Sequence, residues 1–139
     1  MTDAHTQKVT HSYVISYPAH EPRADDPHYR DFNEYRRRTK ATAKCVYAVQ
    51  TGDGSECDHE HPLELHHCHI EFALQNGVDL ARLERVYPGV SDPDKVGAWV
   101  ESAANLEWRC RWHHRGHGGV HSATASDYEA ERFVRNLIR

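Results

Sequence analysis

Three short pieces of this chain carry residue types that can do chemistry at a useful spacing: His66-His67, then Asn105, then Cys110-Arg111-Trp112-His113-His114. Adjacent histidines, a lone asparagine and a later histidine beside a cysteine suit one-metal cleavage of a phosphodiester. That reaction needs a base to activate water, a cation to stabilise charge on the phosphorane-like transition state and leaving oxygen, and a scaffold holding both in register. A histidine, with an ordinary pKa of about 6.5, is a natural base near neutral pH. A second histidine can bind metal through a neutral ring nitrogen and leave other positions open for phosphate oxygen and water. An asparagine donates and accepts hydrogen bonds at once, which suits it to fastening one segment to another.

In order, LELHHCHI, AANLEWRC and RWHHRGHGGVH resemble the HNH nucleases, and the resemblance covers roughly Cys45 to His121, about half the chain. It extends loosely to the end through stand-alone HNH proteins of actinobacteria and their phages. The resemblance implies a ββα-metal (HNH, His-Me finger) core of α+β class, with zinc knuckles and flanking helices. It assigns His66 as a ligand of a catalytic divalent metal (Mg, Mn, Ni or Zn), His67 as general base, His114 as a further metal ligand, and Asn105 as the residue that orients the base. His117 and His121 are possible extra ligands or phosphate donors. Many family members also carry a structural zinc, whose last knuckle reads Cys-x-x-Cys-His. Here Cys110-x-x-His113-His114 matches it with histidine in place of the second cysteine, and Cys45 and Cys57 supply the other two ligands. Eleven residues separate those two, a departure from the family's tight first knuckle.

Four cysteines could otherwise mean disulfides in a secreted chain. Met1 to His11 is polar, with no apolar stretch of a signal peptide, so a reducing, cytoplasmic setting is expected, that of a bacterial host cell if the chain is phage-encoded. Cys68 is left over, either a small buried hydrophobe or an alternative ligand should Cys57 not be one. With 13 histidines in the chain, His59, His61 and His69 read as surface residues.

The net charge of -4 sits awkwardly with nucleic-acid binding. Its distribution helps: Arg30, Arg36, Arg37, Arg38, Lys40 and Lys44 against Asp31 and Glu34 leave a local +4, and Arg109, Arg111 and Arg115 cluster near the site. Arg36, Arg37, Arg38, Arg111 and Arg115 are therefore the expected DNA contacts, although the Arg36-Arg38 run is also what a solvated helix face looks like. At 139 residues, 38% hydrophobic and with mean hydropathy -0.84, the chain suits one domain with a small core to which metal would contribute folding energy. No apolar run approaches the length needed to cross a bilayer.

Residues 1-25 form an arm, expected to be flexible, with a short strand at Ser12 to Tyr17; 26-139 form a single HNH domain with its core over 45-121. A helix starts at Asp26-Pro27 and ends near Thr42. Cys45 to Val49 reads as a strand, turned by the Gly52-Asp53-Gly54 stretch into a second strand at Leu63 to His67. Ile70 to Gln75 and Asp79 to Tyr87 read as short helices, and Asp92-Pro93 opens a third, with Leu80, Leu83, Val86 and Trp99 inside. Leu106 to Arg109 is a strand and Arg111 to His114 begins a short helix that the following glycines stop. Ser126 to Glu129 is a capping box launching a helix over 126-138, with Tyr128, Phe133, Val134 and Leu137 buried.

The expected function is a metal-dependent HNH endonuclease or nickase acting on DNA, as monomer or homodimer, with roles such as helping a phage packaging motor cut concatemers. The competing reading is a non-catalytic zinc-stabilised module binding a protein or nucleic-acid partner, supported by the acidic charge and the wide first knuckle. A two-cysteine, two-histidine zinc finger does not fit the spacing.

Overall fold

The computed structural model describes residues 1-139 as mostly short helices around a two-stranded antiparallel sheet, an α+β arrangement. The helices are α1 (Tyr29–Thr39), α2 (Val46–Thr51), α3 (Leu80–Val86), α4 (Pro93–Val100), α5 (Arg111–Arg115) and α6 (Ala125–Glu131). The strands are β1 (Glu64–His67) and β2 (Leu106–Arg109), and short 3-10 turns cover Arg23–Asp25, Lys40–Thr42 and Phe72–Gly77. No helix is long and apolar enough to cross a membrane.

β1 and β2 pair with Glu64 opposite Arg109 and His67 opposite Leu106. Side chains alternate along a strand, so the adjacent His66 and His67 leave β1 on opposite faces. His66 points toward α5, whereas His67 points toward Phe32 of α1, whose ring it stacks on at 5.4 Å. The apolar interior is small, with only 18 of 139 residues buried, too few to hold so many short elements by hydrophobic burial alone. One cluster joins Leu83, Val90, Val96 and Val100 under α3 and α4. The other holds just Cys45, Tyr47 and Cys110, so two of its three buried members are themselves metal-ligand types.

Asn105 fastens the sheet to this framework. Fully buried at the entrance to β2, its Oδ1 accepts from the His69 and Ile70 amides (2.9 and 3.0 Å), and its Nδ2 donates to the Ile70 and Val100 carbonyls (2.8 and 2.9 Å). One side chain thus ties the segment leaving β1 to the end of α4. Asn105→Ala would remove four hydrogen bonds from a fully buried side chain, one of them to the buried Val100 carbonyl, and is expected to cost about 3 kcal/mol in chemical denaturation, well above an average substitution.

Several elements differ from the expectations above. Cys45 to Val49 is not a strand: Cys45 caps α2, and the helix stops at Gly52, whose φ of 69° suits a residue without Cβ. Packing overrides the β-branched composition, because the helix brings the Tyr47 ring onto His113 at a centroid distance of 3.8 Å and its hydroxyl to the Glu131 carbonyl at 3.0 Å. Ser12 to Tyr17 forms no strand, with every residue exposed. Pro18 to Asp25, by contrast, lie on the body: Pro18 meets Gly77, the Ala19 carbonyl accepts from Asn76, and Arg23 pairs with Glu101. The helix expected from Asp26 begins at Tyr29, after Asp26 has used its carboxylate on the His28 amide. Ile70 to Gln75 is replaced by the 3-10 turn over Phe72–Gly77, and Val86 is 66% exposed rather than inside.

The C-terminal helix is shorter and starts earlier than expected. Thr124 caps α6, its hydroxyl accepting from the Asp127 amide, so the cap lies two residues before Ser126. The helix ends at Glu131, leaving Phe133, Val134 and Leu137 exposed. Beyond it the chain is held by polar contacts: Arg135 to Asp53, and the Asn136 amide to Glu56. A tail docked through polar groups has no need of an apolar stripe.

Candidate metal centres

Two clusters of ligand-type side chains lie on either side of α5, one built around His113 and the other around His114. The short helix forms because Cys110 caps it, its sulfur accepting from the His113 amide, and because Gly116, Gly118 and Gly119 let the chain fold back at once. A Cβ on Gly118 would collide with the Glu131 carboxylate and the Trp112 indole, and one on Gly119 with the His114 backbone. That reversal carries His121 back beside His114.

The first cluster is Cys45, Cys57, Cys110 and His113. The His113 Nδ1 lies 3.2 Å from the Cys110 sulfur, 3.7 Å from Cys57 and 3.9 Å from Cys45. Tetrahedral zinc, with bonds of about 2.3 Å to sulfur and about 2.0 Å to nitrogen, puts those atoms about 3.6 Å apart. The donor set and its spacing therefore fit a metal ion such as zinc. Hydrogen bonds from Cys110 and Cys57 pull the Cys45 thiol to about 2, while the same contacts push the Cys57 thiol upward. All four cysteines are free, and Cys68 belongs to neither cluster, its thiol raised by burial to about 11.

His113 has Nδ1 on the sulfur side, so a neutral, metal-binding ring must carry its proton on Nε2. That nitrogen is buried without a hydrogen-bond partner, and the buried Glu131 carboxylate lies 4.0 Å from it. Burial holds the Glu131 pKa above its ordinary value. The last helix thereby brings a buried carboxylate close to a residue of the first cluster, a proximity that nothing in the sequence pattern announces.

The second cluster is His66, His114 and His121. The His114 Nδ1 donates to Glu64 at 3.0 Å, which leaves its Nε2 as the lone-pair nitrogen, 3.2 Å from the His121 Nε2. Two nitrogens sharing a tetrahedral ion at about 2.0–2.1 Å stand about 3.3 Å apart, so the spacing fits. Glu64 is itself gripped by Arg115, and that cation and His114 outweigh burial to keep its pKa low. Burial and the nearby Arg109 cation push His66 down to about 3, so its ring is neutral near pH 7 and available as a ligand. Burial likewise lowers His121, although its side chain is 44% exposed and opens the cluster to solvent.

His67 lies beside this cluster rather than in it. Its Nε2 meets the Glu101 carboxylate at 3.0 Å, and its Nδ1 faces Glu71 at 3.6 Å. Burial opposes charge on the ring, but the two carboxylates prevail and raise its pKa. Glu101 is buried, and its carboxylate also receives Arg23, whose guanidinium sits 4.7–4.8 Å from the Tyr29, Phe32 and Phe72 rings. Arg23, Glu64, Glu71 and Glu101 were not singled out from the sequence. With 21 acidic residues in the chain, only tertiary placement marks these as special.

Of the remaining candidates, Arg36, Arg111 and Arg115 line one groove of about 390 Å3 with Phe32, Glu64 and Leu65. Arg37 and Arg38 are exposed on α1 but do not line it, and His117 packs near Trp112, in neither cluster. Comparison with family models, with curated proteins and with solved structures gives no match to this chain.

Proposed function

We propose that this chain is a metal-dependent endonuclease or nickase that hydrolyses DNA phosphodiester bonds, with β1, β2 and α5 as a ββα-metal core. The observation carrying this reading is the convergence of three imidazoles, His66, His114 and His121, with a fourth, His67, whose Nδ1 faces the Glu71 carboxylate that also approaches His66 and His121. A divalent ion held by the three histidines would stabilise charge on the pentacovalent transition state and leaving oxygen. Imidazole donors favour nickel or zinc over magnesium, which prefers oxygen. His67 would take the proton of the attacking water at Nδ1, its ring held by Glu101 through Nε2. Arg36, Arg111 and Arg115 would position the phosphate backbone in the groove, which adjoins His114 through Glu64 and His67 through Phe32. The sulfur cluster would hold a structural zinc.

The reading is tested on supercoiled plasmid with metal-stripped protein and magnesium, manganese, nickel or zinc added back. Relaxed or linear product from the wild type, absent with His66→Ala, is expected. Silence with all four metals would remove the nuclease reading in favour of a non-catalytic, zinc-stabilised binding module.

A further inference from the structure

The three histidines are not the only ligand-type groups at their centre. Glu71 leaves the chain four residues after His67, at the start of the 3-10 turn, where its own carbonyl accepts from the Leu74 amide. Its Oε1 lies 3.9 Å from the His66 Nδ1 and 3.8 Å from the His121 Nε2, while its Oε2 lies 3.6 Å from the His67 Nδ1. No arginine or lysine pairs with it, and its charged-type neighbours are all histidines. The segment before it is anchored, since Asn105 holds the His69 and Ile70 amides. The carboxylate is thus delivered by a fixed backbone to the open side of the centre.

We propose that Glu71 is the fourth protein ligand of the histidine centre, giving a three-histidine, one-carboxylate set for a divalent transition metal. The inference rests on the function proposed above only in taking the histidines as a metal site. An oxygen and a nitrogen bound to one ion stand about 3.0–3.4 Å apart, depending on whether the geometry is octahedral or tetrahedral. Glu71 is within 4.0 Å of two of the three histidines but not of His114, so it joins by turning its side chain further toward the centre, a rotation open to a glutamate that is 40% exposed. The same carboxylate stands between the centre and His67. A phosphate oxygen approaching both would therefore exchange with it, so the carboxylate is the ligand that substrate replaces.

The test uses the full-length protein with the sulfur cluster first filled with one equivalent of zinc, then titrated with cobalt(II) by calorimetry and visible absorption. Glu71→Ala is expected to weaken cobalt binding at the histidine site by about 10- to 100-fold or more, since losing even an outer partner of a metal ligand costs that much. Its d–d bands should also change in intensity and position, as loss of a coordinating oxygen requires. A carboxylate acting only through its charge would leave the band shape alone, and its effect would fade in high salt. Binding and spectrum superposable on the wild type, or an affinity loss abolished by salt with no spectral change, would overturn the assignment. His66→Ala separates the two levels of inference. Lost binding there with an unaltered Glu71→Ala defeats only the carboxylate ligand, whereas unaltered binding in His66→Ala defeats the histidine site itself.

Discussion

Cys110→Ser is expected to lose one equivalent of metal and to melt about 15 °C below the wild type. The sulfur of Cys110 is wholly buried, contacts the His113 ring at 3.2 Å and accepts the His113 amide at the start of α5. Serine keeps an oxygen that can cap α5, so the loss comes from the candidate thiolate ligand and from a buried packing atom. The hydrophobic cluster around it has only Tyr47 besides Cys45 and Cys110 fully buried, so little else holds α2, α5 and α6 in place. A loss of about 4 kcal/mol, modest against the binding energy of structural zinc, corresponds to that shift in a domain of this size. Elemental analysis and thermal melts followed by circular dichroism check it, and chelation of the wild type should reproduce the variant's lower melting temperature. Cys68→Ser serves as the control. A Cys110→Ser protein that keeps its metal and melts within a few degrees of wild type would remove the sulfur cluster from its structural role.

His67→Ala is expected to reduce plasmid cleavage by about 10²- to 10⁴-fold, about 3–5 kcal/mol in barrier height, while leaving metal content unchanged. The reason is geometric. His66, the preceding residue, faces the metal-ligand side of β1, and His67 faces Phe32 and Glu101, so the two substitutions should separate. His66→Ala loses metal and cutting together; His67→Ala loses cutting alone. Glu101, left paired with Arg23, keeps a partner for its buried charge in the variant, which guards against unfolding. Single-turnover cleavage with metal analysis on the same sample decides the matter. Unreduced cleavage by His67→Ala would take the base role away from this histidine.

Much of the arrangement was legible because some residue types have few reasons to cluster. Cysteines and histidines at Cys45, Cys57, Cys110 and His113 gave a candidate ligand set, and the structure brings all four together. The limits of β2 follow from Asn105 on one side and Cys110 on the other, with an apolar alternation between. Elsewhere the local signal pointed the wrong way or was absent. Val46, Tyr47 and Val49 favour a strand, but Tyr47 must reach both His113 and the Glu131 carbonyl, and a helix does so. Phe133, Val134 and Leu137 look like a buried face, yet one salt bridge and a backbone-to-carboxylate bond dock that tail and leave them outside. Glu71 and Glu101 belong to none of the motif pieces, although each lies four residues from one of them. Their importance lies in what Asn105 and Arg23 place next to them.

His113 and His114 are consecutive residues of a five-residue helix, and each serves a different cluster. A helix this short has no stability of its own, so its orientation is borrowed from whatever grips its ends. With a metal in the sulfur cluster, Cys110 and His113 clamp the first turn, and the direction in which His114 projects is set before any ion reaches the outer site. Without it, the outer site has lost its rigid wall. On the proposed metal assignment the two centres would load in sequence, inner before outer, and because such coupling is reciprocal, an ion seated on His66, His114 and His121 would strengthen the hold on the one beneath. The protein would come apart in the reverse order, surrendering an ion at the outer site first and its shape last.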